Sequence, residues 1–88
     1  MSAEVKHQHQ IGNYLFLFEI DDETGWDIEM IDNTNDEFQG VGIKDYGEDK
    51  AACEKEFDRI CELKESDMDV LSIEFEKGTV NANIQNTN

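Results

Sequence analysis

Two stretches of this chain alternate side-chain character with a period of two, and only five residues separate them. They are Tyr14-Leu15-Phe16-Leu17-Phe18-Glu19-Ile20 and Trp26-Asp27-Ile28-Glu29-Met30-Ile31-Asp32. A period of two is the signature of a strand. The link Asp21-Asp22-Glu23-Thr24-Gly25 is short and turn-forming. Pairing Ile20 with Trp26 sets Phe18 opposite Ile28 and Phe16 opposite Met30, so every aromatic side chain of the pair shares one face with Ile20, Ile28 and Met30. A slip of one residue would turn that set to the wrong side, so the pattern fixes the register. The same register sets Glu19 against Asp27, Leu17 against Glu29 and Leu15 against Ile31 on the other face. Like charges directly opposite one another are destabilising, so the carboxylates there point to use.

Around this hairpin the rest of the chain reads more coarsely. Met1 to Gly12 is polar and reads as a loose arm. After a second turn at Asn33 to Glu37, Phe38 to Lys44 reads as a third strand. Its two glycines suggest a bulge or an edge. Asp45 and Glu48 have capping-box spacing, which predicts a helix from about Tyr46 to near Ser66. Ala52, Cys53, Phe57, Ile60 and Cys61 form its apolar stripe. Val70 to Glu76 and Thr79 to Gln85 alternate about Lys77-Gly78, which predicts a closing hairpin. The tail to Asn88 reads as frayed. The expected fold is α+β: one domain over residues 1–88, with a mainly antiparallel sheet of about five strands (β-β-β-α-β-β) and one helix on one face. The uncovered face would then carry Leu15, Leu17 and Ile31 among Glu19, Asp27, Glu29, Glu74 and Glu76.

Charge narrows the function. The 88 residues hold 22 acids against 7 lysines and arginines, a net charge of -15. Residues 19–49 hold twelve of the acids and a single base, Lys44, a net of -11. Solubility alone would tolerate interspersed lysines; a field of one sign costs stability by self-repulsion. So acidic a chain lacks the basic footprint for binding nucleic acid directly. Aromatic and aliphatic content is too high for a disordered acidic tail. No apolar run reaches the roughly 18 residues of a membrane span, and no secretory leader is legible. A cytoplasmic protein is expected.

Sites of chemistry read weakly. Cys53 and Cys61 lie eight residues apart, about 12 Å along a helix, too far for an intrachain disulfide. They read as reduced, buried core thiols. His7 and His9 would share a face on a strand, but no cysteine lies near them. Asp32-Asn33-Thr34-Asn35-Asp36 resembles the start of a calcium loop, yet Glu37 and Ile43 stand where glycine and a bidentate glutamate are required. No metal, cofactor or catalytic constellation is expected, and an enzyme is not the reading.

What remains is an acidic binding face: Glu19, Asp27, Glu29, Glu74 and Glu76, rimmed by Asp21, Asp22, Glu23, Asp36 and Glu37, with Leu15, Leu17 and Ile31 as apolar anchors. Carboxylates alternating along a strand lie about 6.8 Å apart, comparable to successive phosphates of a nucleic-acid strand. In size, acidity and mixed strand–helix order the chain resembles, as a class, the small phage-encoded anti-restriction and anti-CRISPR proteins that act as DNA mimics. The resemblance implies a viral inhibitor of a basic nucleic-acid-binding protein, acting in the host cytoplasm. Two alternatives stay open. One is an assembly protein that forms a homodimer, its charge serving solubility. The other is a protein that neutralises a basic nuclease through the same surface.

Overall fold

The structure, a computed structural model, describes residues 3–78. Four strands form one antiparallel meander in the order β1-β2-β3-β4. They are β1 (Ala3–Ile11), β2 (Tyr14–Asp21), β3 (Gly25–Asp32) and β4 (Gln39–Gly47). Two helices follow, α1 (Lys50–Cys61) and α2 (Met68–Lys77). Both pack on the same side of the sheet, where Phe16, Phe18, Ile28 and Met30 meet Cys53, Phe57, Ile60, Met68, Leu71 and Phe75 in one buried cluster.

The central hairpin has the register expected from its alternation: Ile20 pairs with Trp26, Phe18 with Ile28 and Phe16 with Met30. Its turn is held by Asp21, whose Oδ1 accepts from the backbone N–H groups of Glu23 and Thr24 at 2.8 and 3.2 Å. Gly25 completes it at φ 94°, where a Cβ would run into the carbonyl of Gly47. The third expected strand is β4. It is an edge, and its pairing with β3 shifts register twice, between Met30 and Ile31 and again between Trp26 and Asp27. The fold is therefore α+β and antiparallel, with four strands and two helices among the described residues rather than five strands and one helix.

Three expectations are corrected. First, Ala3–Ile11 is not a loose arm but the edge strand β1. It pairs along its length with β2, interrupted by a register shift between Val5 and His7. Its stability comes from the backbone ladder, from Ile11, which is buried, and from His7, whose ring stacks on Phe18 at 5.6 Å. Second, the long helix starts later and ends earlier than expected. Asp45 and Tyr46 belong to β4, and Gly47 ends the strand at φ 60°. The true cap is Asp49, whose side chain accepts from Ala52 N–H at 3.0 Å. Third, Val70 to Glu76 is helical. Met68, Leu71 and Phe75, at three- and four-residue spacing, are the side chains it buries. Val70 and Ile73, which a strand reading turned inward or set along the sheet, are 65% and 54% exposed. The second strand of that expected hairpin, Thr79 to Gln85, and the tail to Asn88 lie outside the described residues.

The contact of α2 with β4 is close. A Cβ on Gly42 would lie 1.9 Å from the Phe75 carbonyl oxygen. The glycine that weakens β4 as a strand is thus what lets the helix settle onto it. Beside it, Lys44 is 6% exposed. Its ammonium donates to Glu56 at 3.0 Å and to Glu74 at 2.9 Å, and lies 4.8 Å from the centre of the Phe75 ring. This cation ties α1, α2 and β4 together.

Candidate functional site: the open face of the sheet

Strand alternation leaves the other face of the sheet to Leu15, Leu17 and Glu19 on β2, Asp27, Glu29 and Ile31 on β3, and Ile43 and Asp45 on β4. Gln8, Gln10 and Val5 extend it on β1, opposite Leu17, Leu15 and Glu19. Neither helix covers it, because both spend their apolar stripes on the Phe16 side. The sequence placed Leu15, Leu17, Ile31, Glu19, Asp27 and Glu29 here, and the register brings all six together.

Glu74 and Glu76 do not belong to this face. Both sit on α2, in the other layer: Glu74 accepts from Lys44 and Arg59, and Glu76 is exposed. Their misplacement follows directly from reading α2 as a strand. The acidic rim also divides. Asp21, Asp22 and Glu23 lie at the β2–β3 turn, whereas Asp36 and Glu37 lie at the β3–β4 connection, at the far end of strands about 25 Å long. Glu48, read in the sequence only as part of a capping box, lines the same shallow depression as Asp21, Asp22, Glu23 and Trp26. Phe38 was also missed as a surface feature. It is 59% exposed and holds φ 51°, a left-handed backbone that a bulky residue rarely adopts.

The centre of the open face holds carboxyls that are buried. Glu19, Asp27 and Asp45 occupy one cross-strand row on β2, β3 and β4. Glu19 is 7% and Asp27 5% exposed. Burial, then the hydrogen bond with Glu19 and the charges of Glu19, Asp45 and Glu29, push the Asp27 carboxyl up to about 8. Every neighbour acting on it is acidic. Glu29 is raised by burial and by the Glu19 charge, and Asp45 by burial and by Asp21. At neutral pH Asp27 keeps its proton and donates it to Glu19. The Asp27 Oδ1 has no hydrogen-bond partner. None of the ion pairs among the described residues involves Glu19, Asp27 or Glu29.

Five of the seven bases (Lys50, Lys55, Arg59, Lys64 and Lys77) lie in residues 50–77, the helical layer. Arg59 and Lys44 clamp Glu56 there. Burial alone would raise Glu56, but the Arg59 and Lys44 hydrogen bonds outweigh it and hold the carboxyl low. The two cysteines part company: Cys53 is buried in the core, its thiol pushed up to about 12 by burial, while Cys61 is exposed on the outer side of α1. The expectation of two core thiols therefore fails at Cys61, the last residue of α1, which sits one position past the buried Ile60. His7 and His9 share the helix-side face through their pairing with Phe18 and Phe16. Among the described residues no three His, Cys, Asp or Glu side chains gather as a metal site, and no helix is long and apolar enough to cross a membrane.

Comparison with protein-family models, with curated proteins and with solved structures finds no match for this chain.

Proposed function

We propose that this chain is a non-enzymatic inhibitor that docks its open sheet face, and the acidic end formed by Asp21, Asp22, Glu23 and Glu48, onto a basic nucleic-acid-binding protein. It occupies the place of nucleic acid there, in the manner of phage-encoded anti-restriction and anti-CRISPR DNA mimics, in the cytoplasm of the host. The observation that carries the reading is a sheet face bare of helices on which carboxyls alternate with Leu15, Leu17, Ile31 and Ile43. Opposite charge speeds and orients encounter with a basic groove, and the apolar side chains add contact that salt does not screen. Because Asp27 is protonated at neutral pH, the phosphate-like charge belongs to the exposed carboxylates at the β2–β3 end and to Glu29.

The same apolar side chains suit a homodimer, the second reading. A dimer through this face would bring two copies of its carboxylates together, which repulsion opposes. A basic partner has no such cost.

The test is competition. A basic partner captured at low salt should lose its nucleic acid as this protein is added, and the affinity should fall as ionic strength rises. Asp22→Lys with Glu23→Lys should weaken binding far more than Glu54→Lys with Asp58→Lys, which makes the same change in net charge on α1. Equal losses, or simultaneous binding of nucleic acid and this protein without mutual weakening, would remove the mimic. A concentration-dependent dimer disrupted by Leu17→Glu would put the homodimer in its place.

A further inference from the structure

The buried row has a geometry that a merely repulsive surface does not need. Three strands each contribute one carboxyl at successive register positions, about 4.8 Å apart. The middle one, Asp27, is 5% exposed, and its Oδ1 lacks any hydrogen-bond partner. A buried acceptor left unsatisfied loses the hydrogen bonds water would have given it, so a donor that reaches it gains. Apolar side chains flank the row: Val5 opposite Glu19, with Leu17 and Ile43 at the next positions along β2 and β4.

We propose that the Glu19–Asp27–Asp45 row is a receptor for one arginine of the partner, whose guanidinium satisfies Asp27 Oδ1 and bridges to its neighbours. The inference rests on the reading above in one respect, that the partner meets this face.

Arginine fits better than lysine for three reasons. Its planar fork presents five donors, enough for several carboxyl oxygens in a line. It is less strongly hydrated than an ammonium, so entering a half-apolar site costs it less. Its stem would lie against Leu17 and Ile43, as long cationic side chains do on apolar surfaces. A metal ion fits poorly, since the row does not gather three ligands about one point. Reaching Oδ1 takes rotation of flanking side chains, and Val5 and Ile43 are already 45% and 42% exposed. Val5 from β1 and Asp21 from β2 face the row, and the charges that act on Asp27 itself, those of Glu19, Asp45 and Glu29, are all acidic. An arriving cation would therefore turn the protonated pair into two carboxylates, and binding would release a proton.

The experiment follows the Asp27 side-chain carboxyl carbon by NMR across its titration, with a blocked pentapeptide carrying a central arginine between valines as the probe. Its citrulline analogue, of the same shape without charge, is the control. At peptide concentrations up to about 10 mM, above the roughly millimolar affinity of so small a ligand, the Asp27 midpoint should fall by about one pH unit or more, a tenfold change in its acid constant. The citrulline peptide should leave it in place. Asp27→Asn should weaken peptide binding about fivefold or more, and so should Glu19→Gln, which guards against a folding failure of either variant. An unmoved Asp27, movement by citrulline alike, or movement by magnesium but not by arginine overturns the receptor. The nucleic-acid competition stands apart from these results. A protein that displaces nucleic acid while Asp27 ignores arginine keeps the mimic and loses the receptor. One whose Asp27 responds to arginine but which displaces nothing keeps the receptor and loses the mimic.

Discussion

Replacing Asp27 by asparagine should remove the loss of stability that rising pH otherwise brings. The carboxyl titrates near 3.8 in the unfolded chain and is pushed up to about 8 in the folded one. Below the lower value both states hold the proton, and the folded protein has its full advantage. As pH rises from there, the unfolded chain ionises first, binds fewer protons than the folded one, and stability falls until the folded carboxyl also ionises. Each pH unit in that window is worth about 1.4 kcal/mol, so about three units, from about pH 5 to about pH 8, amount to about 4 kcal/mol. Interaction with the neighbouring carboxyls spreads the Asp27 titration, so a measured loss of about 2–4 kcal/mol is expected. A domain of this size has only about 4–13 kcal/mol in total. Asparagine keeps the shape, cannot ionise, and its amide donates to Glu19. The variant should match or trail the native protein at about pH 5 and exceed it by about 2–4 kcal/mol at about pH 8. Urea unfolding read by Trp26 fluorescence measures this directly. Trp26 is the chain's single tryptophan, half-buried and stacked on Phe18 at 5.4 Å. A native protein whose stability is flat or rising between those pH values, or an Asp27→Asn variant with the native slope, would refute the raised Asp27 carboxyl.

On the acid side the sign is opposite: Glu56 is held low in the folded state, so its contribution is full above about 4.5 and is lost as pH falls through its folded value. Lys44→Met in the same cluster should cost about 3 kcal/mol, the lower end for breaking a buried pair because Arg59 still binds Glu56; equilibrium denaturation checks it. Gly42→Ala should cost about 1–3 kcal/mol or more by pushing the Phe75 carbonyl away, and should shift the α2 amide resonances most. A thiol reagent should modify one cysteine of the native protein, Cys61, and reach Cys53 only on unfolding; fast labelling of both would place Cys53 outside the core. Phe38→Gly should gain about 1 kcal/mol by relieving a left-handed phenylalanine, and a simultaneous loss of partner binding would make that residue a contact.

The central hairpin was legible because its two faces differ so sharply that one register alone satisfies them. β1 was not, since Lys6 to Gln10 is polar on both faces and draws its stability from ladder hydrogen bonds, which leave little trace in side-chain type. Its one signal was the alternation of His7, His9 and Ile11 with Gln8 and Gln10. For α2, Leu71, Ile73 and Phe75 satisfy a period of two, while Met68, Leu71 and Phe75 satisfy the helical one; a run this short supports both. The choice falls to tertiary packing, which the glycine at position 42 makes possible. Of the acidic face, its membership on β2 and β3 followed from pairing, but the burial of Glu19 and Asp27 did not. Alternation says which way a carboxyl points, not how closely its neighbours close around it. The addition of Asp45 needed the extra residue, Val41, that the shift between Met30 and Ile31 inserts into β4.

The helical residues 50–77 set five bases against nine acids, a net of -4, while residues 19–49 of the strands and their turns carry -11, which gives the molecule an electric moment with its negative pole toward the strand layer. A basic surface would exert a torque on such a plate as well as a pull. The plate would arrive turned the right way before any side chain touches, so fewer encounters are wasted on the helical side. Moving two lysines from α1 to the strands, at constant net charge, would leave the attraction and remove the turning. The association rate would then fall while the equilibrium charge of the protein stayed the same, a separation of orientation from attraction that a plate with evenly spread charge could never show.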